Sequence, residues 1–97
     1  MAKEKICARV ITLEDGTKQG VFYNFNDLNC FNLNNLEWMG GKWLDNSMAA
    51  IREEHKKFKQ DYEPMAKEDF NNFVKKLKTV GDDFGYYLES CELSEEL

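Results

Sequence analysis

The chain is poor in residues that form covalent or metal crosslinks. Its 97 residues include three cysteines, one histidine and one proline. Cys7, Cys30 and Cys91 are odd in number and widely spaced, so they offer neither a disulfide framework nor a CxxC metal pair. A zinc site needs about four closely spaced His or Cys ligands, and no part of the sequence has that spacing. We therefore predict that the protein holds no metal and no cofactor.

No group of residues has the spacing of a catalytic site. His55, the lone histidine, is predicted on the inward side of a helix, where a hydrogen-bonded core residue is the simpler interpretation than a general base. Cys91 lies among acidic residues, which raise the pKa of a thiol and disfavour its nucleophilic form. Gly40-Gly41-Lys42 lacks the remaining glycine and the Ser or Thr of a phosphate-binding loop. We predict that the protein is not an enzyme and assign no catalytic residue.

Long apolar runs are also missing. No run approaches the roughly 18 residues that a membrane span needs. The stretch Met1–Val10 is charged and contains no apolar segment of signal-peptide length. Hydrophobic residues make up 42% of the chain and aromatic residues 13%, which is typical of a globular protein. We expect one cytoplasmic domain over residues 1–97, without a membrane partner.

Basic residues are absent from the C-terminal end. The net charge is −5, but residues 1–80 hold 13 Lys and Arg against 12 Asp and Glu, whereas residues 81–97 hold six acids and no base. We expect this acidic end to make a contact. Its target is either the lysine-bearing helix faces of the same chain or a basic surface on a partner. The alternative is a tail that serves only solubility.

A first hairpin is predicted near the N-terminus. Asp15-Gly16 is a favoured turn dipeptide between two runs with strand-like composition. The predicted register places Val10 opposite Val21 and Ala8 opposite Tyr23. One face of the hairpin is then apolar, and the other is expected to be partly solvated. The two predicted strands are Ile6–Leu13 and Lys18–Phe25.

The next stretch contains two further turn dipeptides, Asn34-Asn35 and Gly40-Gly41. Both residue types tolerate positive φ, so each dipeptide suits a two-residue hairpin loop. Pairing outward from the first turn places Phe31 opposite Trp38, and pairing outward from the second places Trp38 opposite Trp43. Frequent asparagine argues against the alternative, a helix across this stretch, because asparagine competes for backbone hydrogen bonds. The predicted buried face consists of Phe31, Leu33, Leu36 and Trp38.

Two helices are predicted next. Asp45-Asn46-Ser47 can cap the first helix, and Pro64 ends it. Gly81 is suited to cap the C-terminal end of the second. The apolar stripe changes phase at Pro64, which indicates two helices that fold back on each other. The first stripe is Met48, Ile51, His55, Phe58 and Tyr62, and the second is Ala66, Phe70, Phe73, Val74, Leu77 and Val80.

The segment Asp82–Leu93 fits either a strand or a short helix. Gly81 and Gly85 disfavour a continuous helix, so we favour a strand around Tyr86-Tyr87-Leu88 that pairs with the N-terminal hairpin. The predicted fold is α+β: an antiparallel N-terminal sheet of four or five short strands, packed by a two-helix hairpin. In a helix, the inward residues would be Phe84, Tyr87, Leu88 and Cys91.

The predicted contact residues fall into two groups. Aromatic residues and Met around Gly40-Gly41 could form an interaction patch, since both are enriched at the cores of interfaces. The alternative is that both tryptophans belong to the core. The acids of the C-terminal end form the second group, which would meet a basic surface on a protein partner. The full set is Trp38, Met39, Trp43, Glu89, Glu92, Glu95 and Glu96.

Three classes of function are compatible with these features. We expect first a small non-enzymatic protein that binds another protein stoichiometrically. Phages and mobile elements encode compact single-domain inhibitors of host defence or nucleic-acid-handling complexes, and they share this small size, acidic bias and lack of catalytic residues. The likeness is one of class and not of motif. The alternatives are a nucleic-acid-binding domain that uses lysine-rich helix faces and, third, a small enzyme subunit.

Overall fold

The computed structural model describes residues 3–24, 27–43 and 47–95, and of Lys42 and Trp43 it describes the backbone alone. The strands form one sheet in the order β4-β3-β2-β1-β5, and β6 also pairs with β1. The β1–β6 pair is parallel and the other pairs are antiparallel. The elements are β1 (Glu4–Thr12), β2 (Lys18–Tyr23), β3 (Asp27–Asn32), β4 (Trp38–Trp43), α1 (Met48–Asp61), β5 (Glu63–Pro64), α2 (Lys67–Thr79), α3 (Asp83–Glu89) and β6 (Cys91–Leu93).

The predicted α+β class is confirmed, with a four-stranded antiparallel N-terminal sheet and a C-terminal strand parallel to β1. Helices cover both faces of this sheet, because alternate residues of a strand point to opposite faces. On one face Phe22 stacks on Phe73 of α2, with ring centroids 5.0 Å apart. On the other face Tyr23 stacks on Phe58 of α1, at 4.9 Å. The face predicted to be partly solvated is therefore buried.

The two long helices lie on opposite faces of the sheet instead of packing side by side. The short connection between them, β5, explains this arrangement. Pro64 ends α1 as predicted, and β5 then pairs antiparallel with β1, with Pro64 opposite Arg9. The chain thus crosses the edge of the sheet between the two helices. The apolar stripe changes phase at Pro64 because the second helix has to face the sheet from the other side.

The register of the first hairpin differs by one residue from the prediction. Val10 lies opposite Gly20 and Ala8 opposite Phe22, so Tyr23 belongs to the other face. Gly16 has a φ of 88°, and the amide of Leu13 donates to the carbonyl of Thr17 across the turn. This is a three-residue loop that ends in a left-handed residue, which adds one residue to the expected turn.

Asn34-Asn35 does lie in a hairpin connection, and Phe31 pairs with Trp38 as predicted. The loop is longer than two residues, however. Oδ1 of Asn32 accepts hydrogen bonds from the amides of Asn34 and Asn35, at 2.8 and 3.2 Å, and Leu36 takes a positive φ of 66°. The side chain of Asn32 thus gives these two backbone N–H groups a partner outside the sheet. The strands therefore end earlier, and the loop is longer than two residues.

The prediction of a second hairpin at Gly40-Gly41 is wrong. Both glycines lie within β4, opposite Cys30 and Asn29 of β3, so Trp38 and Trp43 are at opposite ends of one strand. A Cβ on Gly41 would lie 2.7 Å from Oδ1 of Asn29 and 2.9 Å from the carbonyl oxygen of Leu28. Glycine is required here by the close approach of β3 and not by a turn.

The predicted buried face around the Asn34-Asn35 loop is correct in part. Phe31 is buried, and Leu33 and Leu36 pack against the core cluster of Phe22. Trp38 is the exception, because 58% of its surface is exposed. It lies at the end of the outermost strand, beyond the area that α2 and α3 cover.

The helix ends agree with the sequence signals. Oγ of Ser47 accepts a hydrogen bond from the amide of Ala50 and caps α1, whereas Asp45 and Asn46 lie outside the described residues. At the end of α2, the amide of Gly81 donates to the carbonyl of Lys78 and the amide of Asp82 to the carbonyl of Leu77. Gly81 has a φ of 77°, so these two bonds form the expected glycine cap.

Of the two alternatives for this segment, the favoured strand at Tyr86-Tyr87-Leu88 is wrong and the short helix is confirmed, because α3 covers these residues. The strand that joins the N-terminal hairpin is β6, which follows α3 directly and pairs with Glu4–Ile6. Gly85 misled the prediction. A Cβ at this position would lie 2.8 Å from Cβ of Leu77 and 2.9 Å from the amide nitrogen of Lys78. The glycine allows α3 to pack directly on α2.

Arg9 is a charged residue in the interior. Its side chain is 8% exposed and lies on the α1 face of β1. Nη1 donates to the carbonyls of Lys59 and Tyr62 at the end of α1, at 3.2 and 3.0 Å, and Nη2 forms an ion pair with Glu95. The last carbonyls of a helix have no partner within the helix, so Arg9 caps α1 from the sheet.

We predict that Gly85→Ala lowers the free energy of unfolding by about 1 kcal/mol, and by about 2 kcal/mol at most. A methyl group must displace backbone atoms of α2, a cost of about 1–3 kcal/mol, and the helix propensity of alanine offsets about 1 kcal/mol of it. Urea denaturation measures the change, with Tyr86→Ala in the same helix as control. An unchanged or higher midpoint for Gly85→Ala would contradict the close packing.

We predict that Arg9→Met destabilises the fold by about 2–3 kcal/mol, since it leaves helix carbonyls and a carboxylate without their charged donor. Glu95→Gln is the matched control. The side chain of Glu95 is 52% exposed, so its loss should cost about 0.2–1 kcal/mol. Equal losses in thermal or urea unfolding would show that Arg9 acts through the ion pair and not through the helix end.

Candidate protein-binding surface

The structure separates the predicted contact residues into two groups, which lie toward opposite edges of the sheet. Trp38 and Met39 lie in β4 at one edge, and the backbone of Trp43 ends the same strand. Glu89 ends α3, Glu92 lies in β6, and Glu95 follows it, beyond β1 on the other side. Glu96 lies outside the described residues. The two groups cannot contribute to one compact site.

The β4 patch, which we define as Trp38, Met39, Gly40 and Gly41, presents two large apolar side chains. Trp38 is 58% exposed and Met39 is 44% exposed. Both are oriented by polar neighbours: Nε1 of Trp38 donates to Oδ1 of Asn29 at 3.1 Å, and Nε2 of Gln19 lies 3.2 Å from Sδ of Met39. Exposed apolar side chains held in this way lose little conformational entropy when a partner covers them.

A β-bulge places these two side chains on different faces of the sheet. Trp38 pairs with Phe31 and Gly40 with Cys30, so Met39 is an additional residue in β4. Trp38 lies on the face of Phe31, which α2 and α3 cover. Met39 contacts Gln19, which alternates with Val21 and Tyr23 on the α1 face. The patch therefore wraps around the edge of the sheet.

The outer backbone of β4 pairs with no other strand among the described residues, because β4 ends the strand order. Proteins usually protect such an edge with charges, proline or a covering element, since its free N–H and C=O groups can pair with another chain. Between Glu37 and Lys42 the sequence is Trp-Met-Gly-Gly, which contains neither a charge nor a proline. Among the described residues, the bulge at Met39 interrupts the otherwise regular edge of this segment.

The acidic group lies beside a groove between α2 and β6. The groove has a volume of about 710 Å³ and a partly apolar floor that includes Phe70, Val74 and Leu88. Glu89 and Glu92 line it together with Lys67 and Lys75 of α2, so charges of both signs surround the floor. With Lys3, three lysines and two glutamates line the groove, so its charges nearly balance and do not select a ligand of one charge.

Two of the predicted acids contact basic residues of the same chain. Glu89 forms an ion pair with Lys78, whose Nζ also lies 5.5 Å from the ring centroid of Tyr86. Glu95 forms the ion pair with Arg9. The contact of Glu89 is of the first expected kind, with a lysine of a helix face. A contact of the acids with a partner stays a prediction.

The residues with potential chemistry are buried or half-buried, and they are dispersed over the fold. Burial raises the pKa of the thiols of Cys7, Cys30 and Cys91, which lowers their thiolate fraction at neutral pH. His55 stacks against Tyr23, with ring centroids 5.2 Å apart. Burial also raises the pKa of Tyr87, whose hydroxyl accepts a hydrogen bond from Nδ2 of Asn24. Within residues 3–24, 27–43 and 47–95, no three His, Cys, Asp or Glu residues are grouped to hold a metal ion.

Sequence reasoning missed three residues that shape these surfaces. Asn29 and Gln19 orient Trp38 and Met39 from neighbouring strands, and Arg9 links β1 to the acidic end. The first two depend on strand order, which the sequence does not reveal. Arg9 had a signal, because it alternates with Cys7 and Ile11 on a strand face that is half apolar.

In the part of the chain that the structure describes, no helix is both long and apolar enough to span a bilayer. Comparisons with protein-family models, with curated proteins and with solved structures give no significant match to this chain.

We predict that Cys7 and Cys91 of the folded protein react slowly with a thiol reagent at pH 8, because both are buried and their raised pKa values leave little thiolate. Half-buried Cys30 should react faster than either. Alkylation followed by peptide mass spectrometry identifies the labelled residue, and the protein unfolded in urea is the control. Rapid labelling of Cys91 in the folded state would indicate an activated thiol.

Proposed function

We propose that this protein is a small non-enzymatic protein that acts by stoichiometric binding to another protein, and that the β4 patch is its contact surface. One observation carries the proposal: two large apolar side chains, Trp38 and Met39, are exposed at consecutive positions of the outermost strand, one on each face of the sheet. Tryptophan and methionine are enriched at the cores of interfaces. An unpaired strand beside them adds backbone groups that can hydrogen-bond to a partner.

The mode of binding that fits this edge is strand addition. A partner segment in extended conformation would pair with β4 and place alternate side chains on the two sheet faces. Trp38 would cover such a segment from the α2 face and Met39 from the α1 face. Backbone pairing would supply affinity, and the apolar side chains would supply selectivity.

The acidic end has a separate role in this proposal. Exposed acids such as Glu92 would attract a basic partner over a distance and increase the association rate more than the affinity. Inhibitors of host defence or nucleic-acid-handling complexes, of the kind that phages and mobile elements encode, are the class that combines these features. The likeness remains one of size, charge and missing catalytic groups.

Nucleic-acid binding by the lysine-rich helix faces has weaker support. Arg52, Lys56 and Lys57 lie on α1, whereas Lys75 and Lys76 lie on α2, and the sheet separates the two helices. These side chains therefore do not form one continuous basic surface. Lys78, a further member of the α2 group, is paired with Glu89.

We predict that Trp38→Ala reduces recovery of the partner roughly tenfold or more, because tryptophan at the centre of an interface contributes most to affinity. The tagged protein, Trp38→Ala and Tyr86→Ala are used to capture proteins from native host lysate, and quantitative mass spectrometry compares them. Tyr86 is a matched control, since it is 54% exposed but lies on α3.

The expected result is a protein that the parent chain and Tyr86→Ala retain and Trp38→Ala loses. Circular dichroism confirms that each variant is folded. A partner retained equally by all three would place the contact elsewhere. Oligonucleotide binding that falls steeply between low and moderate salt, with no protein partner, would favour the nucleic-acid alternative.

A further inference from the structure

We propose that a second copy of this chain pairs with the β4 patch when no other partner occupies it. The two β4 strands would run antiparallel about a two-fold axis perpendicular to the sheet, and the two sheets would become one. The inference rests on the proposed function, because it assigns a resting state to the same contact surface. Its support is the self-complementary order of residues along β4.

Residue sizes and charges match when β4 is paired with itself. An antiparallel register centred between Met39 and Gly40 places Trp38 opposite Gly41 and Met39 opposite Gly40 of the second copy. Each large side chain then meets a glycine. Around Gly40 the space is open, since a Cβ there would meet no atom within 4 Å. Directly opposite pairs are the positions where side chains of two strands interact most strongly.

Charges match in the same register. Glu37 would lie opposite Lys42 of the second copy, and the two-fold axis would repeat this pair at the other end. Glu37 is exposed just before β4 begins, and Lys42 is the fifth residue of the strand. Two opposite-charge pairs would therefore flank an apolar centre. Any shift of the register would lose both pairs, and a shift to the register that centres on Trp38 and Met39 would place these two large side chains opposite each other.

The β-bulge makes this register possible. A two-fold axis perpendicular to the sheet keeps each face on its own side, so opposite residues must belong to the same face. In a regular strand, residues 38 and 41 would alternate to different faces. The additional residue restores the match: Trp38 pairs with Phe31 and Gly41 with Asn29, and those two residues of β3 share a face.

Pairing with a second copy would also cover the free edge of β4. An isologous contact uses the same surface on both copies, so it leaves no free β4 edge and does not extend into a fibre. A heterologous partner would then have to displace the second copy. The dimer would protect the edge in the absence of that partner.

The experiment is a charge exchange followed by sedimentation velocity over a wide range of protein concentration. Glu37→Lys and Lys42→Glu each replace two attractive pairs by two repulsive ones, so each should weaken the dimer roughly tenfold or more. The double variant Glu37→Lys/Lys42→Glu restores opposite charges at both ends and should regain the parent's dimer affinity within about threefold. Trp38→Ala should also weaken the dimer, and Tyr86→Ala should not.

The outcomes separate this inference from the proposed function. A parent chain that stays monomeric at all concentrations would overturn self-pairing, and capture of a partner by the parent but not by Trp38→Ala would still support the proposed function. A dimer that persists in Trp38→Ala, or that the double exchange fails to rescue, would overturn the β4 register. Loss in both single variants with rescue in the double variant would establish it.

Discussion

The arrangement of this fold depends on the guanidinium of Arg9. A buried cation needs hydrogen-bond partners, and here Nη1 donates to the last carbonyls of α1 and Nη2 pairs with Glu95, whereas Nε has no partner among the described residues. The end of α1 is therefore fixed against β1, and the segment after β6 is drawn to the same place. Because β1 pairs with β2, β5 and β6, one side chain connects the sheet, a helix and the acidic end.

Burial of both sheet faces follows from the path of the chain around this centre. The C-terminal end of α1 contacts Arg9 on one face of the sheet. The next segment, β5, pairs with β1 at the edge of the sheet, and the chain then continues on the other face. α2 and α3 then cover Phe22 and Phe31, which belong to an aromatic cluster with Phe73 and Phe84. Neither helix layer extends over the end of β4, so Trp38 and Met39 remain exposed.

Local signals in the sequence were sufficient to predict helix ends. They could not predict features that depend on contacts between residues far apart in the sequence. Ser47 and Gly81 are caps that act within one turn of their helices, so their sequence context was sufficient. Gly41 and Gly85 resemble turn or helix-breaking residues in sequence. Each is a glycine because a neighbouring backbone passes within 3 Å of its missing Cβ, a contact that no local pattern reveals.

The candidate site could likewise be predicted only in part from the sequence. The composition around Gly40-Gly41 was enough to predict an interaction patch that includes Trp38 and Met39. The separation of this patch from Glu89, Glu92 and Glu95 depends on strand order, since β4 and β6 lie on opposite sides of β1 and β2. Register errors of one residue, as in the first hairpin, also exchange sheet faces and so change which residues are judged to be buried.

The parallel pairing of β6 with β1 has a consequence for how the domain is made. Glu4 lies opposite Cys91, so the first and last strands of the described fold are neighbours. Ile6 of β1 and Cys91 of β6 are both buried in one cluster, so this cluster needs residues from both strands. During synthesis, the ribosome must release almost the whole domain before this cluster can close. Closure of this cluster is therefore a late step of folding, and losing either β1 or β6 would open it.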